Sequence, residues 1–160
     1  MASALERVAK RFDFNGKLLQ VAIEGFPDDA WSYTPDGGGN TAHWILGHLV
    51  IARRGALRMS GVDVAPEPWE EAFARDAKPE GTEGFPPITD LAAAFHAAGS
   101  ALADHIASMD DETASAPAPR SFPDGSDTIG GVLDFMQFHE TYHLGQIGLI
   151  RRANGLPGFI

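Results

Sequence analysis

Apolar residues recur with the spacing of an α-helix in four stretches of this chain, and proline- or glycine-rich segments separate the stretches. This periodicity predicts helices over about residues 3–25, 40–60, 89–109 and 127–153. Ser3 and Glu6 form a capping-box pair at the start of the first. No alternating apolar run of useful length is present to form a strand. The pattern therefore predicts an all-α fold.

The connection between the second and third predicted helices is long. It spans roughly residues 61–88 and has room for a short helix at Glu70–Arg75. A connection of this length can cross a whole bundle, which allows helices two and three to run parallel. We therefore predict a single domain over residues 1–160, a four-helix bundle with a long crossover between helices 2 and 3.

The composition of the chain excludes several kinds of site and disfavours some classes of partner. Its 160 residues, 44% of them hydrophobic, suffice for one domain with its own core. The absence of cysteine excludes disulfides, thiolate metal sites and a cysteine nucleophile, and it fits a reducing compartment. A formal net charge of −10 disfavours nucleic-acid binding. Neither a signal-peptide core nor an apolar run of membrane length is visible, so we expect a soluble cytoplasmic protein without a membrane or nucleic-acid partner.

Two histidines lie one turn apart on the fourth predicted helix. On a helical wheel, His139 and His143 fall on the apolar face, near Gln146, while the opposite face carries Asp134, Thr141, Gly145, Gly148, Arg151 and Arg152. Burying an unpaired polar group costs about 1–3 kcal/mol, so the pair needs partners. The i, i+4 spacing allows one ion to bind both rings. Two core histidines hydrogen-bonded to the backbone remain the alternative at this point.

The second predicted helix adds a third candidate ligand. His48 is centred on its apolar face, whereas His43 points about 140° away on the wheel. His96 and His105 lie at the edges of the apolar face of the third helix. We therefore predict that His43, His96 and His105 are boundary or surface residues, with His105 the substitute ligand if one is needed.

The predicted ligand set favours certain metals and a particular kind of site. Three imidazoles without a thiolate or carboxylate suit Zn²⁺, Ni²⁺, Cu²⁺ or Fe²⁺. Three protein ligands leave a position open for water or substrate, as in catalytic rather than structural sites. Water bound there can have its pKa lowered to about 7.

Residues 139–143 also match H-E-x-x-H, the helix motif of zinc metallopeptidases. In that interpretation Glu140 is the general base that activates the metal-bound water. Those enzymes usually take a third ligand downstream, and no His, Asp or Glu follows His143 in this chain. We therefore keep the peptidase as a minor alternative.

Two motifs, W-I-L-G-H-L at 44–49 and H-E-T-Y-H-L-G-Q-I-G-L-I-R-R at 139–152, carry a resemblance to the DinB-like (DNA-damage-inducible) metal-binding superfamily. The resemblance covers nearly the whole chain, including F-P-D-D-A-W at 26–31. It implies a four-helix bundle with the long crossover, and a metal held by His48, His139 and His143. It also implies frequent homodimers and, in some members, transfer or isomerisation reactions that use a low-molecular-weight thiol. Thr141, Gly145 and Gly148 can admit a neighbouring helix, although internal packing explains these small residues equally well.

Two hypotheses about function follow. The first is a metal-dependent enzyme acting on a small molecule, a thiol-dependent S-transferase or a hydrolase, with Zn or Ni the favoured metal. Its candidate helpers are Glu140 as the catalytic base, and Gln146 and Tyr142 as polar groups near the metal that contact cofactor or substrate. The second is a non-enzymatic metal-binding or stress-associated interaction protein, because no unambiguous catalytic acid, base or nucleophile accompanies the ligands.

Overall fold

The computed structural model describes residues 3–36, 38–77 and 81–160; residues 1, 2, 37 and 78–80 of the predicted domain lie outside these ranges. The described chain is helical and contains no β-strand, which confirms the predicted fold class. The α-helices are α1 (Ala4–Ile23), α2 (Ala42–Met59), α3 (Ile88–Ser108), α4 (Asp111–Ser115) and α5 (Ile129–Ala153). Short 3₁₀ helices at Asp28–Trp31 and Glu70–Phe73 precede α2 and α3. None of the helices in the described ranges is long and apolar enough to cross a bilayer.

The four long helices correspond to the four predicted ones, and the starts of α1, α2 and α5 are fixed by side-chain caps, whereas α3 begins after Pro87 without one. Ser3, Thr41 and Thr128 each accept a hydrogen bond from a backbone N–H in the first turn of α1, α2 and α5. Helix α4 was not predicted, because a helix of five residues is too short to show a period. The short helix expected at Glu70–Arg75 is a single 3₁₀ turn that ends at Phe73.

Helices α2 and α3 run parallel, as the long crossover allows. Near their starts, Nε2 of His43 donates to the carbonyl oxygen of Pro86 at 2.9 Å. Near their ends, Nε2 of His105 donates to the carbonyl oxygen of Ser60 at 3.2 Å. Residue numbers therefore rise together along the two helices, and the four-helix bundle with a crossover between its second and third long helices is confirmed.

Helices α1 and α5 also run parallel, and their ends are joined by a buried arginine. Arg11 contacts Asp134 near the start of both helices, and Nη1 of Arg151 donates to the carbonyl of Ala22 near their ends. Nε of Arg151 donates to the carbonyl of Pro157, which holds the C-terminal segment. The expectation that Arg151 lies on an exposed face was wrong, because these carbonyls replace water around its guanidinium.

The core is divided into two apolar clusters by a polar layer. One cluster surrounds the start of α2, and the other surrounds its end. Between the clusters, each long helix contributes a polar residue or a glycine, namely Asn15, Arg53, Gly99 and Glu140. The three predicted metal ligands lie beside this layer, on the two helices α2 and α5.

Candidate metal centre

Three histidine rings from α2 and α5 converge on one point. His48, His139 and His143 each offer a ring nitrogen, and the three nitrogens lie within 4.8 Å of one another. Nε2 of His139 is 3.3 Å from Nε2 of His48 and 3.1 Å from Nε2 of His143. The structure thus brings together the three histidines selected by the helical wheels.

The orientation of His48 is fixed from the crossover loop. Its Nδ1 lies 2.7 Å from the carbonyl oxygen of Phe73, which can only accept, so Nδ1 carries the hydrogen. The indole of Trp44 stacks on the ring at 4.8 Å and 12°, and its Nε1 donates to the carbonyl of Ala72. The 3₁₀ turn therefore holds both rings and directs the Nε2 lone pair of His48 toward the other histidines.

Gly47 allows the 3₁₀ turn to approach α2 this closely. A Cβ atom at position 47 would lie 2.2 Å from Cε1 of Phe73, a distance that real Cβ atoms do not reach. At the start of the same turn, Glu70 binds Arg54 and Arg58 of α2 through short hydrogen bonds. The segment W-I-L-G-H-L is thus a single packing unit in which Trp44 stacks, Gly47 makes room and His48 points inward.

Gln146 plays the corresponding part for His143. Nδ1 of His143 lies 2.7 Å from Oε1 of Gln146, and Nε2 of Gln146 donates to the hydroxyl of Tyr142 at 3.2 Å. Because the amide oxygen accepts, Nδ1 of His143 carries the hydrogen and Nε2 is left with its lone pair. The exposed Tyr142 ring packs edge-on against His143 at 5.1 Å. Gln146 and Tyr142, predicted as polar neighbours of the site, both contact the triad in this way.

His139 lies between the other two rings and is held differently. Its ring packs against Phe135 at 6.5 Å. Among the described residues, its Nδ1 is the buried side-chain nitrogen that has no hydrogen-bond partner. The tautomer of His139 is therefore not fixed by a neighbouring group, in contrast to His48 and His143.

The arrangement of these nitrogens fits a metal ion. The Nε2 atoms of His48 and His143 both present lone pairs, and His139 can donate a hydrogen to only one of them. Of the two close contacts, His139–His48 and His139–His143, at least one therefore has no hydrogen atom between its two nitrogens. Two nitrogen ligands at 2.0–2.1 Å from a tetrahedral ion lie about 3.3 Å apart, close to the observed 3.1 and 3.3 Å. The three histidines can hold a metal ion.

The pKa values of the three imidazoles favour the neutral form that binds metals. Burial, with contributions from His143, His48 and Arg75, lowers the pKa of His139 to about 3. Burial and the neighbouring His48 lower the pKa of His143 to about 4. Burial also lowers the pKa of His48. All three rings are therefore neutral at pH 7, with lone pairs available for an ion.

Glu140, predicted as the catalytic base, contacts Arg53 in the polar layer between the two apolar clusters. Its side chain is 1% exposed, and both of its oxygens accept hydrogen bonds from Arg53, at 2.7 and 2.8 Å. Burial raises the pKa of Glu140, and the two hydrogen bonds from Arg53 oppose that rise. The carboxylate is thus fully engaged by Arg53 inside the bundle, and the catalytic role of Glu140 stays a prediction.

The buried face of α5 is rotated from the one that the wheel predicted. It is centred near Glu140 and Ile147, so His139 lies at its edge and is half-buried. A prediction from hydropathy alone misplaces this face because it treats every charged residue as exposed. Glu140 is instead buried in an ion pair with Arg53. The burial of Arg53 could not be predicted from hydropathy for the same reason.

The other three histidines lie outside the triad, in agreement with the prediction. His43 and His105 bind the backbone carbonyls of Pro86 and Ser60, and His96 is exposed on α3. His105 therefore does not replace any of the three histidines of the triad.

The small residues on the back of α5 pack mostly within the chain. The hydroxyl of Thr141 bonds to Asn15 and Gln137, and the ring of Phe159 covers Gly148 so closely that a Cβ there would lie 2.6 Å from it. The space beside Gly145 is open. The homodimer stays a prediction, and internal packing accounts for two of the three residues offered as its contact surface.

Comparison with known proteins agrees with the fold and with the histidine cluster. None of the curated proteins compared with the chain matches it. The family model described as the DinB superfamily matches residues 11–147, which include α2 and α3, most of α1 and α5, and the three converging histidines. The chain belongs to the DinB superfamily.

Proposed function

We propose that this protein is a divalent-metal-dependent enzyme acting on a small molecule, of the thiol-dependent S-transferase type. The observation that carries the proposal is the convergence of three Nε2 atoms, two of them with tautomers fixed by Phe73 and Gln146. Three neutral ligands leave at least one coordination position for a substrate. A zinc or nickel ion is the favoured occupant, and iron or copper is compatible with the same nitrogen donors.

A metal ion held by His48, His139 and His143 would supply Lewis acidity, which would lower the pKa of a bound thiol or water. The chain's own residues orient the imidazoles and exclude water from one side of the site. Trp44 covers His48, and Phe135 packs against His139. Tyr142 is 57% exposed next to His143, so its hydroxyl and ring are positioned to contact an incoming molecule.

The position of Glu140 favours S-transfer over hydrolysis. A hydrolase of the H-E-x-x-H type needs a carboxylate that can take a proton from the attacking water. Here both oxygens of Glu140 are bound by Arg53 inside the bundle. A thiol requires less help, because its ordinary pKa of about 8.5 is already near neutrality and needs only a modest shift by the metal. The same observation weighs against the metallopeptidase alternative.

The non-enzymatic metal-binding protein remains the second candidate. It is favoured by the same burial of Glu140, because both oxygens of that carboxylate are bound by Arg53 and are not free to take a proton. In that case the ion chiefly stabilises the junction of α2 and α5, as structural metals do.

Turnover with matched variants separates these candidates. Metal-loaded protein would be assayed with 1-chloro-2,4-dinitrobenzene and a low-molecular-weight thiol, and in parallel with 4-nitrophenyl acetate as a hydrolysis substrate. We expect thiol-dependent turnover that is lost in His139→Ala and kept in His96→Ala, whose histidine is exposed on α3. Inertness toward both substrates, together with a large metal-dependent rise in Tm, would favour the non-enzymatic candidate. A cytoplasmic location belongs to the same proposal, since that compartment keeps a thiol co-substrate reduced.

A further inference from the structure

We infer that Glu70 is a positioning residue for the three-histidine centre. By binding Arg54 and Arg58 it fixes the 3₁₀ turn to α2, and the carbonyl groups of that turn set the direction in which His48 presents Nε2. The inference rests on the proposed metal function and deepens it, because it places control of the metal affinity in the crossover segment.

Glu70 joins the start of the 3₁₀ turn to α2 through both of its carboxylate oxygens. Nη1 of Arg58 donates to Oε2 and Nη2 donates to Oε1, each at 2.8 Å, which makes a bidentate pair. Nε of Arg54 donates to Oε1 at 2.6 Å. Burial raises the pKa of Glu70, but the hydrogen bonds from Arg58 and Arg54 outweigh this effect, so the pKa lies below its usual value. The carboxylate is therefore ionised at pH 7 and the contact persists there.

The network has the features that make an ion pair contribute to stability. Isolated pairs on a surface contribute little, whereas bidentate pairs and networks contribute more. The Glu70 side chain is 13% exposed, and its two arginine partners come from successive turns of one helix. Those arginines also donate to the crossover itself, Arg58 to the carbonyl of Val64 and Arg54 to the carbonyl of Ala65. The start of the 3₁₀ turn is thus firmly attached to α2.

The turn is attached to α2 at both of its ends. At its far end the fully buried ring of Phe73 occupies the space that Gly47 leaves open. A 3₁₀ helix of four residues has few hydrogen bonds of its own to fix its orientation. The packed ring fixes where the turn lies but restricts its rotation less. The second attachment, at Glu70, restricts that rotation.

The carbonyls at the end of the turn are the ones that hold two rings of α2. Nδ1 of His48 donates to the carbonyl of Phe73 at 2.7 Å, and Nε1 of Trp44 donates to the carbonyl of Ala72 at 3.0 Å. The direction of each carbonyl follows the backbone of the turn, so a rotation of the turn moves both acceptors together. His48 then loses its hydrogen bond or turns with the acceptor, and either change takes Nε2 away from the point where the three rings meet.

The two sides of the centre are supported by different parts of the chain. His143 is oriented by Gln146, which lies on the same helix, whereas His48 is oriented by the crossover. Loss of Glu70 should therefore disturb His48 and leave the hydrogen bond of His143 in place. A general loosening of the bundle would disturb both histidines.

The experiment compares Glu70→Ala, Glu70→Gln and Glu71→Ala with the native protein. Glu71 is the matched control because it is the next residue of the same turn, carries the same charge and is exposed. Its side chain has no hydrogen-bond or ion-pair partner among the described residues. Zinc affinity would be measured by competition with a chromophoric chelator. The Nδ1–H signals of His48 and His143 would be followed by nitrogen–proton NMR in the metal-free protein.

We expect Glu70→Ala to weaken zinc binding about tenfold, at the lower end of the range for loss of a group that orients a metal ligand, because Glu70 acts through the turn. Glu70→Gln keeps one acceptor oxygen and should fall between Glu70→Ala and the native protein. Glu71→Ala should change the affinity by less than about twofold. In Glu70→Ala the His48 signal should shift or broaden while the His143 signal stays unchanged.

Equal zinc affinities for Glu70→Ala and Glu71→Ala would overturn the inference and leave the proposed metal function standing. A loss of affinity in Glu70→Ala with both histidine signals disturbed alike would overturn it too, because the effect would then be a general loosening of the fold. If the native protein binds no zinc, the proposed function fails and this inference fails with it.

Discussion

Arg53 and Glu140 form a bidentate ion pair at the centre of the bundle, with nitrogen–oxygen distances of 2.7 and 2.8 Å. The same guanidinium donates to the carbonyls of Phe12 on α1 and Phe95 on α3, so it contacts all four long helices. It also lies over the Phe95 ring, 3.5 Å from its centroid. Arg53 is five residues from His48, and Glu140 is adjacent to His139. The pair therefore fixes the relative positions of α2 and α5 on which the histidine cluster depends.

Breaking this pair should destabilise the fold. Glu140→Leu leaves the Arg53 charge buried without a partner, which we expect to lower the free energy of unfolding by about 3–5 kcal/mol in urea denaturation. The double variant Arg53→Met/Glu140→Leu should recover most of that loss, because it removes both buried charges. Asp134→Asn is the control, because Asp134 lies on α5 like Glu140 but its contact with Arg11 of α1 is exposed. Loss of that contact should cost less than about 1 kcal/mol.

The pair also distinguishes a structural Glu140 from a catalytic one. If Glu140 only positions the helices, the double variant keeps metal binding and turnover. A double variant that is folded and metal-loaded but inactive, beside a Glu140→Leu single variant of native stability, would instead identify Glu140 as the base.

Gly47→Ala should disrupt the support of His48. The added methyl group would lie 2.2 Å from Phe73, so the 3₁₀ turn must move and its carbonyl must leave Nδ1 of His48. Loss of such a partner typically weakens metal affinity about 10–100-fold. Gly55→Ala on the same helix is the matched control, because nothing lies within 4 Å of the added atom. Zinc affinities from competition with a chromophoric chelator would compare the two, and equal affinities would contradict the role given to Phe73.

Gln146→Ala should weaken metal binding by a similar factor. It removes the acceptor that fixes the tautomer of His143, and the ring is then free to turn its lone pair away from the site. Tyr142→Phe removes only the hydroxyl that Gln146 contacts at 3.2 Å, so its effect on zinc affinity should be smaller. An affinity that falls more in Tyr142→Phe than in Gln146→Ala would show that the hydroxyl, and not the amide, supports the centre.

The stability of the metal-free protein should fall as the solution becomes mildly acidic. The pKa of His139 is lowered to about 3 and that of His143 to about 4 in the folded protein, whereas an unfolded histidine titrates near 6.5. Between these values the unfolded chain binds more protons, so the free energy of unfolding decreases as pH drops from about 6.5 to about 4. The slope can reach about 1.4 kcal/mol per pH unit for each histidine.

Urea denaturation between pH 7 and pH 4 measures this dependence. The double variant His139→Ala/His143→Ala should show a shallower decline than the native protein, since other titrating groups are common to both. Identical pH profiles would mean that the two rings charge as readily in the folded state as in the unfolded one.

The sequence predicted the triad because His48, His139 and His143 stand out among the apolar residues around them on the helical wheels, although the buried face of α5 is rotated and His139 lies at its edge. It also predicted the crossover, since a connection from residue 61 to residue 88 is too long for a simple turn. Arg53 and Glu140 could not be found in the same way, because a charged residue lowers the hydropathy of a face whether or not a partner is buried beside it. The role of Gly47 depends on a turn more than twenty residues away, which no local pattern encodes.

The most direct test of the account is the metal content of the protein, measured by inductively coupled plasma mass spectrometry after purification without a nickel column. We expect about one equivalent of a divalent transition metal in the native protein, and its loss in both His48→Ala and His139→Ala, because three nitrogens are needed to hold the ion with an open position. His96→Ala should retain it. No metal in the native protein, and no binding on titration with zinc or nickel, would contradict the account and leave the three histidines as polar residues of the core.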